Sequence, residues 1–159
     1  MTSKPTVDQL NAFFRAEFPQ AKVLVEALGE GTARVRHSVG VAELRPGGTV
    51  SGPVMMATAD VALYAAILGS IGIVPLAVTT NLNINFLRKP AAGRDILGIC
   101  TLLKVGRTLA IGEVSIRARG CQCDVDGVVV LHLVQNFLHG ISHFDNRWCL
   151  RQMMRQTAI

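Results

Sequence analysis

Ser51-Gly52-Pro53-Val54-Met55-Met56-Ala57-Thr58-Ala59-Asp60-Val61-Ala62-Leu63-Tyr64-Ala65-Ala66-Ile67-Leu68 is the stretch on which the fold turns. From Val54 to Leu68 the polar exceptions are Thr58, Asp60 and the Tyr64 hydroxyl, and no Lys or Arg appears before Val78. A helix apolar on every side is either a bilayer span or the centre of a protein core. Pro53 fits the first helical position, where its missing N–H costs nothing, with Ser51 or Gly52 near the cap. Gly69, Gly72 and Pro75 are expected to break the helix. About 20 apolar residues suffice to cross a bilayer, but Asp60 at the centre of a span would cost roughly 2.5–3.5 kcal/mol. The chain that follows is strand-rich, with no second span and no basic flank. Burial in a core is expected, and no membrane contact.

After Pro75 the periodicity changes to two. In Asn81-Leu82-Asn83-Ile84-Asn85-Phe86 the asparagines share one strand face and the apolar residues the other. Arg94 to Leu103 reads as another strand and Lys104-Val105-Gly106-Arg107 as a connecting turn. Ala110 to Arg119 alternates again, with Val114, Ile116 and Ala118 inward. Asp124-Val125-Asp126-Gly127 signals a turn before a β-rich run from Val128 to Phe137. Upstream, Val7, Leu10, Phe13, Phe14 and Phe18 have helical spacing closed by Pro19. Ala21 to Leu28 and Thr32 to Val39 flank Gly29-Glu30-Gly31 as a hairpin, and Arg45-Pro46-Gly47-Gly48 is a turn. Antiparallel strands wrapping one buried helix make an α+β domain.

Composition agrees. The chain has 159 residues, 50% of them hydrophobic and 17% charged, which argues for one domain and excludes a disordered chain. A mean hydropathy of +0.37 is high for a small monomer, so a second subunit is expected to cover an apolar face. The 16 basic residues exceed the 11 acidic ones, which suits an anionic partner. They are scattered, and few aromatics are present to stack bases, so a phosphate-bearing small molecule is expected and no nucleic acid. Cys100, Cys121, Cys123 and Cys149 follow an amino terminus without a signal-peptide pattern, which points to free thiols in a reducing cytoplasm. Cys121 and Cys123 with His139 and His143 do not have the spacing of a zinc knuckle, so no metal is expected.

Asp60 is the most informative residue. A lone carboxylate on an apolar helix is hydrogen-bonded structurally, protonated, or facing a cavity where it works. The N–H groups near Gly52, Val54 and Met55 lie at the positive helix end and can polarise a carbonyl oxygen. Asp60 stands about 12 Å further along the axis. An oxyanion donor and a base are half of an acyl-transfer site; Met55, Met56 and Tyr64 are candidates for lining an acyl tunnel, although residues of these types are more often simply core.

The residues Ser51-Gly52-Pro53-Val54-Met55-Met56-Ala57-Thr58-Ala59-Asp60 resemble the helix-entry motif of hotdog-fold acyl-CoA thioesterases of the PaaI type, His-Gly-Gly followed after six residues by a catalytic Asp or Glu. Thr79-Thr80-Asn81-Leu82-Asn83-Ile84-Asn85-Phe86-Leu87-Arg88-Lys89-Pro90 resembles the family's next strand, and Lys104-Val105-Gly106-Arg107 with Gly112-Glu113-Val114 the turn and strand after it. The resemblance implies a hotdog fold, an antiparallel sheet wrapped around the long central helix, over residues 1–140, with 141–159 as a C-terminal extension. It implies homodimers or homotetramers, active sites at the dimer interface, an acyl-CoA substrate and no cofactor. Asp60 takes the role of general base or nucleophile, the Gly52 N–H that of oxyanion donor, and Thr79 supplies a hydroxyl near the attacking water. Ser51, Val54 and Asn81 line the substrate, while Arg88, Lys89 and Arg107 are candidates for the CoA phosphates. Ser51 replaces the motif histidine, Pro53 the second glycine, and Arg45 a polar position that is commonly Asn. These departures favour a non-hydrolytic acyl-CoA binding module as the alternative; a hotdog enoyl-thioester hydratase would need a histidine near the carbonyl, and none lies near Asp60 in sequence.

Overall fold

The computed structural model describes residues 4–75, 77–106 and 109–120, and the backbone of 133–136. Among the described residues, two α-helices, α1 (Val7–Glu17) and α2 (Gly52–Ile71), accompany eight strands: β1 (Val23–Gly29), β2 (Thr32–His37), β3 (Leu44–Arg45), β4 (Thr49–Val50), β5 (Val78–Leu82), β6 (Ile96–Val105), β7 (Leu109–Ala118) and β8 (Leu133–Asn136). Six strands form one antiparallel sheet in the order β1-β2-β6-β7-β8-β5. The sheet wraps α2, as the alternation demanded: along β7 every second residue from Ala110 to Ala118 is buried.

Helix α2 reaches the sheet closely because its face and the strands facing it are small. Ala59, Ala62, Ala65 and Ala66 are buried. Opposite them, a Cβ on Gly98 would stand 3.1 Å from the Ala62 methyl and 3.2 Å from the Thr58 carbonyl. Glycine at that strand position lets helix and strand come together. Residues 62–69 are buried throughout, so the length and apolarity sufficient for a membrane span are met here by a core.

Helix α1 begins with a capping box in which the Thr6 hydroxyl accepts from Gln9 N–H (3.2 Å) and the Gln9 side chain accepts from Thr6 N–H (2.9 Å). Its buried Asn11 bonds both backbone groups of Val25 at 2.9 Å, tying α1 to β1. Phe13, Phe14 and Phe18 surround the Tyr64 ring at centroid distances of 5.9–6.3 Å, anchoring the middle of α2.

Several sequence expectations need correction. Gly69 does not break the helix: it is buried in α2 against Leu28, and the helix caps at Gly72, whose φ of 98° a side chain would resist. Pro53 occupies the second helical position, because Ser51 is the cap and Gly52 the first residue. The strand expected over Asn81–Phe86 is β5, which ends at Leu82. β5 pairs with β8 rather than with β6, so the chain crosses the molecule between them. On that crossing Val50 N–H bonds the Pro90 carbonyl (3.1 Å) and Ala91 bridges Thr49. The Arg45–Gly48 turn closes the small β3–β4 hairpin, with Gly47 and Gly48 at positive φ. The Asp124–Gly127 turn, Cys121, Cys123, Cys149, His139, His143, the extension 141–159 and Arg107 lie outside the described residues.

Candidate active site

The first turn of α2 opens onto a cavity of about 310 Å³ lined by Arg45, Val50, Gly52, Met55, Phe86, Leu87, Arg88 and Lys89. The sequence assembles it from both sides: β4 delivers Gly52 directly into the helix, and the 83–95 crossing runs alongside β4. The Phe86 ring lies over Gly52, 3.4 Å from where a Cβ would stand. A helix leaves its first N–H groups without intrahelical acceptors. Met55 N–H is taken by the Ser51 carbonyl (3.3 Å), contrary to expectation, and Pro53 has none. The Gly52 and Val54 N–H groups remain as the donors at the positive helix end.

Three cations, Arg45, Arg88 and Lys89, and no acid line this cavity, alongside the apolar Val50, Met55, Phe86 and Leu87. The Arg45 Nε donates to the Thr49 hydroxyl at 2.7 Å across the β3–β4 hairpin, which fixes the guanidinium. An anionic amphiphile matches such a lining. The sequence marks Arg45 only as a departure at a position commonly Asn in the resembled family, and it marks neither Phe86 nor Leu87 as a site residue, because Phe86 reads as part of a strand.

Asp60 and Thr79 form a second centre. The Thr79 hydroxyl on β5 donates to Asp60 Oδ1 at 2.5 Å. Burial raises the Asp60 pKa above the ordinary carboxylate range, and the threonine hydrogen bond offsets this in part. No cation pairs with Asp60 among the described residues. Such a carboxylate accepts a proton more readily than a solvated one, as a general base must. It shares one stripe of α2 with Pro53, Met56 and Ala57, and those three are exposed. Asn81 is exposed two residues after Thr79, beyond a register shift in β5.

The structure therefore brings Gly52, Arg88 and Lys89 together at the cavity, and separately Asp60 and Thr79; Val54 is half-buried in the first turn of α2 and does not line the cavity. Ser51 sits behind the cavity as the helix cap without a side-chain cap bond. Cys100 is buried and its thiol is pushed up to about 12, so it stays protonated at neutral pH. No cluster of metal-ligating side chains occurs among the described residues.

An antiparallel sheet wrapped on one long helix, with a carboxylate on that helix and a cavity at its N-terminus, defines a hotdog-fold protein. The chain belongs to the thioesterase superfamily, whose family profile matches residues 47–125. A candidate thioesterase from Silicibacter sp. TM1040 is 42% identical over 82% of this chain and 90% of its own, with a TM-score of 0.73. Zebrafish thioesterase superfamily member 2 is 24% identical over 83% of this chain and 98% of its own, with a TM-score of 0.71. The Escherichia coli PaaI protein of the phenylacetic acid degradation operon shares the fold at 20% identity, over 80% of this chain and 95% of its own, with a TM-score of 0.65. No curated protein matches the chain significantly. The fold is that of the PaaI-type hotdog thioesterases, and thioester hydrolysis is the general activity of the class.

Proposed function

We propose that the protein hydrolyses an acyl-CoA thioester, with Asp60 as the catalytic carboxylate and the Gly52 N–H as oxyanion donor. The observation that carries this is Asp60 itself, a desolvated carboxylate whose one described partner is the Thr79 hydroxyl. Asp60 takes a proton from water as the water oxygen attacks the thioester carbon. Negative charge gathers on the carbonyl oxygen, where Gly52 N–H and the helix end oppose it. Collapse of the tetrahedral species breaks the carbon–sulfur bond; the CoA thiolate leaves and takes up the proton that Asp60 accepted, which restores the carboxylate.

Gly52 and Asp60 stand about 12 Å apart along one helix axis. One carbonyl cannot meet both at bonding distance, so two copies of the chain are assigned to one site. The Asp60–Thr79 pair acts with Gly52 of the partner subunit. The exposed Pro53, Met56 and Ala57 around Asp60 supply an apolar surface for that association. Arg88 and Lys89 are assigned to the CoA phosphates, because both line the cavity that Gly52 enters. A cytoplasmic location suits the reduced Cys100.

Pro53, by removing one donor from the helix end, favours a second reading as a non-hydrolytic acyl-CoA binding module. A panel of thioesters, from short and aromatic to long acyl chains, separates the two. Turnover by the unsubstituted protein, lost in Asp60→Asn with binding of a non-hydrolysable acyl-CoA retained, is the expected result. Binding without turnover of any thioester would leave the binding module.

A further inference from the structure

Glu43 stands outside the chemistry just described, yet it is one of the most constrained polar groups in the molecule. It ends a short 3₁₀ turn, Val41–Glu43, whose other two residues are exposed, Val41 at 89%. Glu43 alone turns inward, at 6% exposure. One carboxylate oxygen accepts from Lys22 Nζ (2.8 Å) and the other from Gly40 N–H (2.7 Å). Its backbone carbonyl accepts the Ser51 N–H at 2.9 Å. Ser51 is the cap of α2, and its own carbonyl receives Met55 N–H.

A carboxylate that merely capped an exposed 3₁₀ turn would have no reason to be buried. Burial is costly unless the group is fully partnered, and here both oxygens have partners. The residue holds two parts of the cavity wall at once. Through the chain it precedes β3, which carries Arg45 to the cavity two residues later. Through its carbonyl it holds the residue before Gly52. A side chain fixed at both oxygens thus sets where the Arg45 guanidinium and the Gly52 N–H stand relative to each other.

We propose that Glu43 is the positioning residue of the site, holding the N-terminus of α2 and Arg45 in the geometry that receives the thioester carbonyl. The assignment rests on the thioesterase reading for what Gly52 does, but the geometry it asserts is tested without turnover. A transition-state donor displaced by a fraction of an ångström loses much of its effect while substrate still binds.

Two readouts on the full chain decide the matter. In Glu43→Ala, amide exchange at Ser51 and Met55 should rise at least about tenfold, as expected when a local opening becomes easier, while residues 62–69 keep their protection. Turnover should fall about tenfold in kcat, with a smaller rise in KM of about twofold, since the Gly52 donor and Arg45 are displaced while Arg88 and Lys89, assigned to the CoA phosphates, stay in place. Glu43→Gln retains an acceptor for Gly40 N–H, and the 60% exposed Lys22 can turn into water. It should restore both readouts to near those of the unsubstituted protein. If Glu43→Ala does not fold, Glu43→Asp, one methylene short of Gly40, should raise the same exchange rates. Unchanged exchange at Ser51 in a folded Ala or Asp variant overturns the proposal, as does unchanged kcat where the protein turns over. Absence of turnover by the unsubstituted protein overturns the thioesterase reading instead, and exchange still decides the positioning.

Discussion

Two carboxylates flank the N-terminal half of α2, and the protein treats them oppositely. Glu43, behind the helix cap, receives a lysine ammonium and a backbone N–H, which hold its carboxyl below the usual carboxylate range. Asp60, in the third turn of the helix, receives one threonine hydroxyl, and burial holds its carboxyl above that range. At Asp60 burial is the larger influence and its single hydroxyl partner offsets it only in part, whereas at Glu43 the lysine and the Gly40 N–H outweigh burial. A fully partnered anion is a structural clamp. An under-partnered one is poised to take a proton, and such groups concentrate where chemistry occurs.

The most severe way to break the comparison is Asp60→Asn. The amide keeps an oxygen for the Thr79 hydroxyl and removes the buried charge. Turnover should fall by roughly 10²–10⁴, the usual contribution of a general base. Stability should move the other way. The folded pKa of Asp60 lies above its unfolded value, so the ionised group destabilises the fold above that pKa and the cost disappears below it. At pH 7 the Asn variant should therefore melt higher, roughly 2–4 °C for each kcal/mol of relief in a chain of this size. A lower melting temperature at pH 7, measured calorimetrically, would show that the fold compensates the Asp60 charge after all.

The first of these carboxylates was invisible in the sequence and the second was conspicuous, for a physical reason. Asp60 interrupts an apolar helix, and a charge in such a run has few explanations. The helix, the β1–β2 hairpin and the alternation of β7 are equally local signals and are where they were expected. Glu43 gains its meaning from Lys22 and Ser51, contacts that the sequence places 21 and 8 residues away and does not announce. The same holds for β5: its periodicity was legible, but its pairing with β8 depends on a crossover that no local pattern encodes. Gly69 misled because glycine lowers helix propensity by only about 1 kcal/mol, and the close approach of Leu28 outweighs that. Arg45 was legible as a departure from the resembled pattern, but its place in the cavity wall depends on the β3–β4 hairpin that carries it.

Thr79→Val sharpens the comparison with a smaller effect. It leaves Asp60 in place but removes the described hydroxyl that lowers its pKa. The carboxyl should then titrate higher, and the acid limb of kcat/KM against pH should move to higher pH. At neutral pH kcat should fall by about tenfold, consistent with the loss of one hydrogen bond to a charged group. Thr79→Ser, which retains the hydroxyl, should keep the limb where it was. An unmoved limb in the Val variant would mean that the acid limb belongs to another group.

The smallest expected effect separates the two carboxylates by pH. His37, at the end of β2, is buried with neither ring nitrogen hydrogen-bonded among the described residues, and burial lowers its pKa. Glu43, Lys22 and Asp95 are the charged groups acting on it, the two acids opposing that shift and the lysine adding to it. Because the folded pKa lies below the unfolded one, the unfolded chain binds the proton first. Stability is constant above about pH 6.5, the ordinary histidine value, and is lost as pH falls from there towards the folded pKa. Glu43 contributes in a lower window: its stabilisation is complete above its unfolded pKa and is lost as pH falls through the depressed folded one. Asp60 has the opposite sign, so the measurement belongs in the Asp60→Asn background, where that contribution is gone. There, melting temperature should decline by a few degrees in two stages, one starting near pH 6.5 and one below about pH 4.5. His37→Leu should remove the upper stage and leave the lower, whereas Glu43→Gln should keep the upper stage and shrink the lower, to which Asp95, held low by Arg36, also contributes. A single stage that neither substitution alters would mean that acid acts on groups elsewhere in the fold, and the contrast between a clamped and a poised carboxylate would then rest on Asp60 alone.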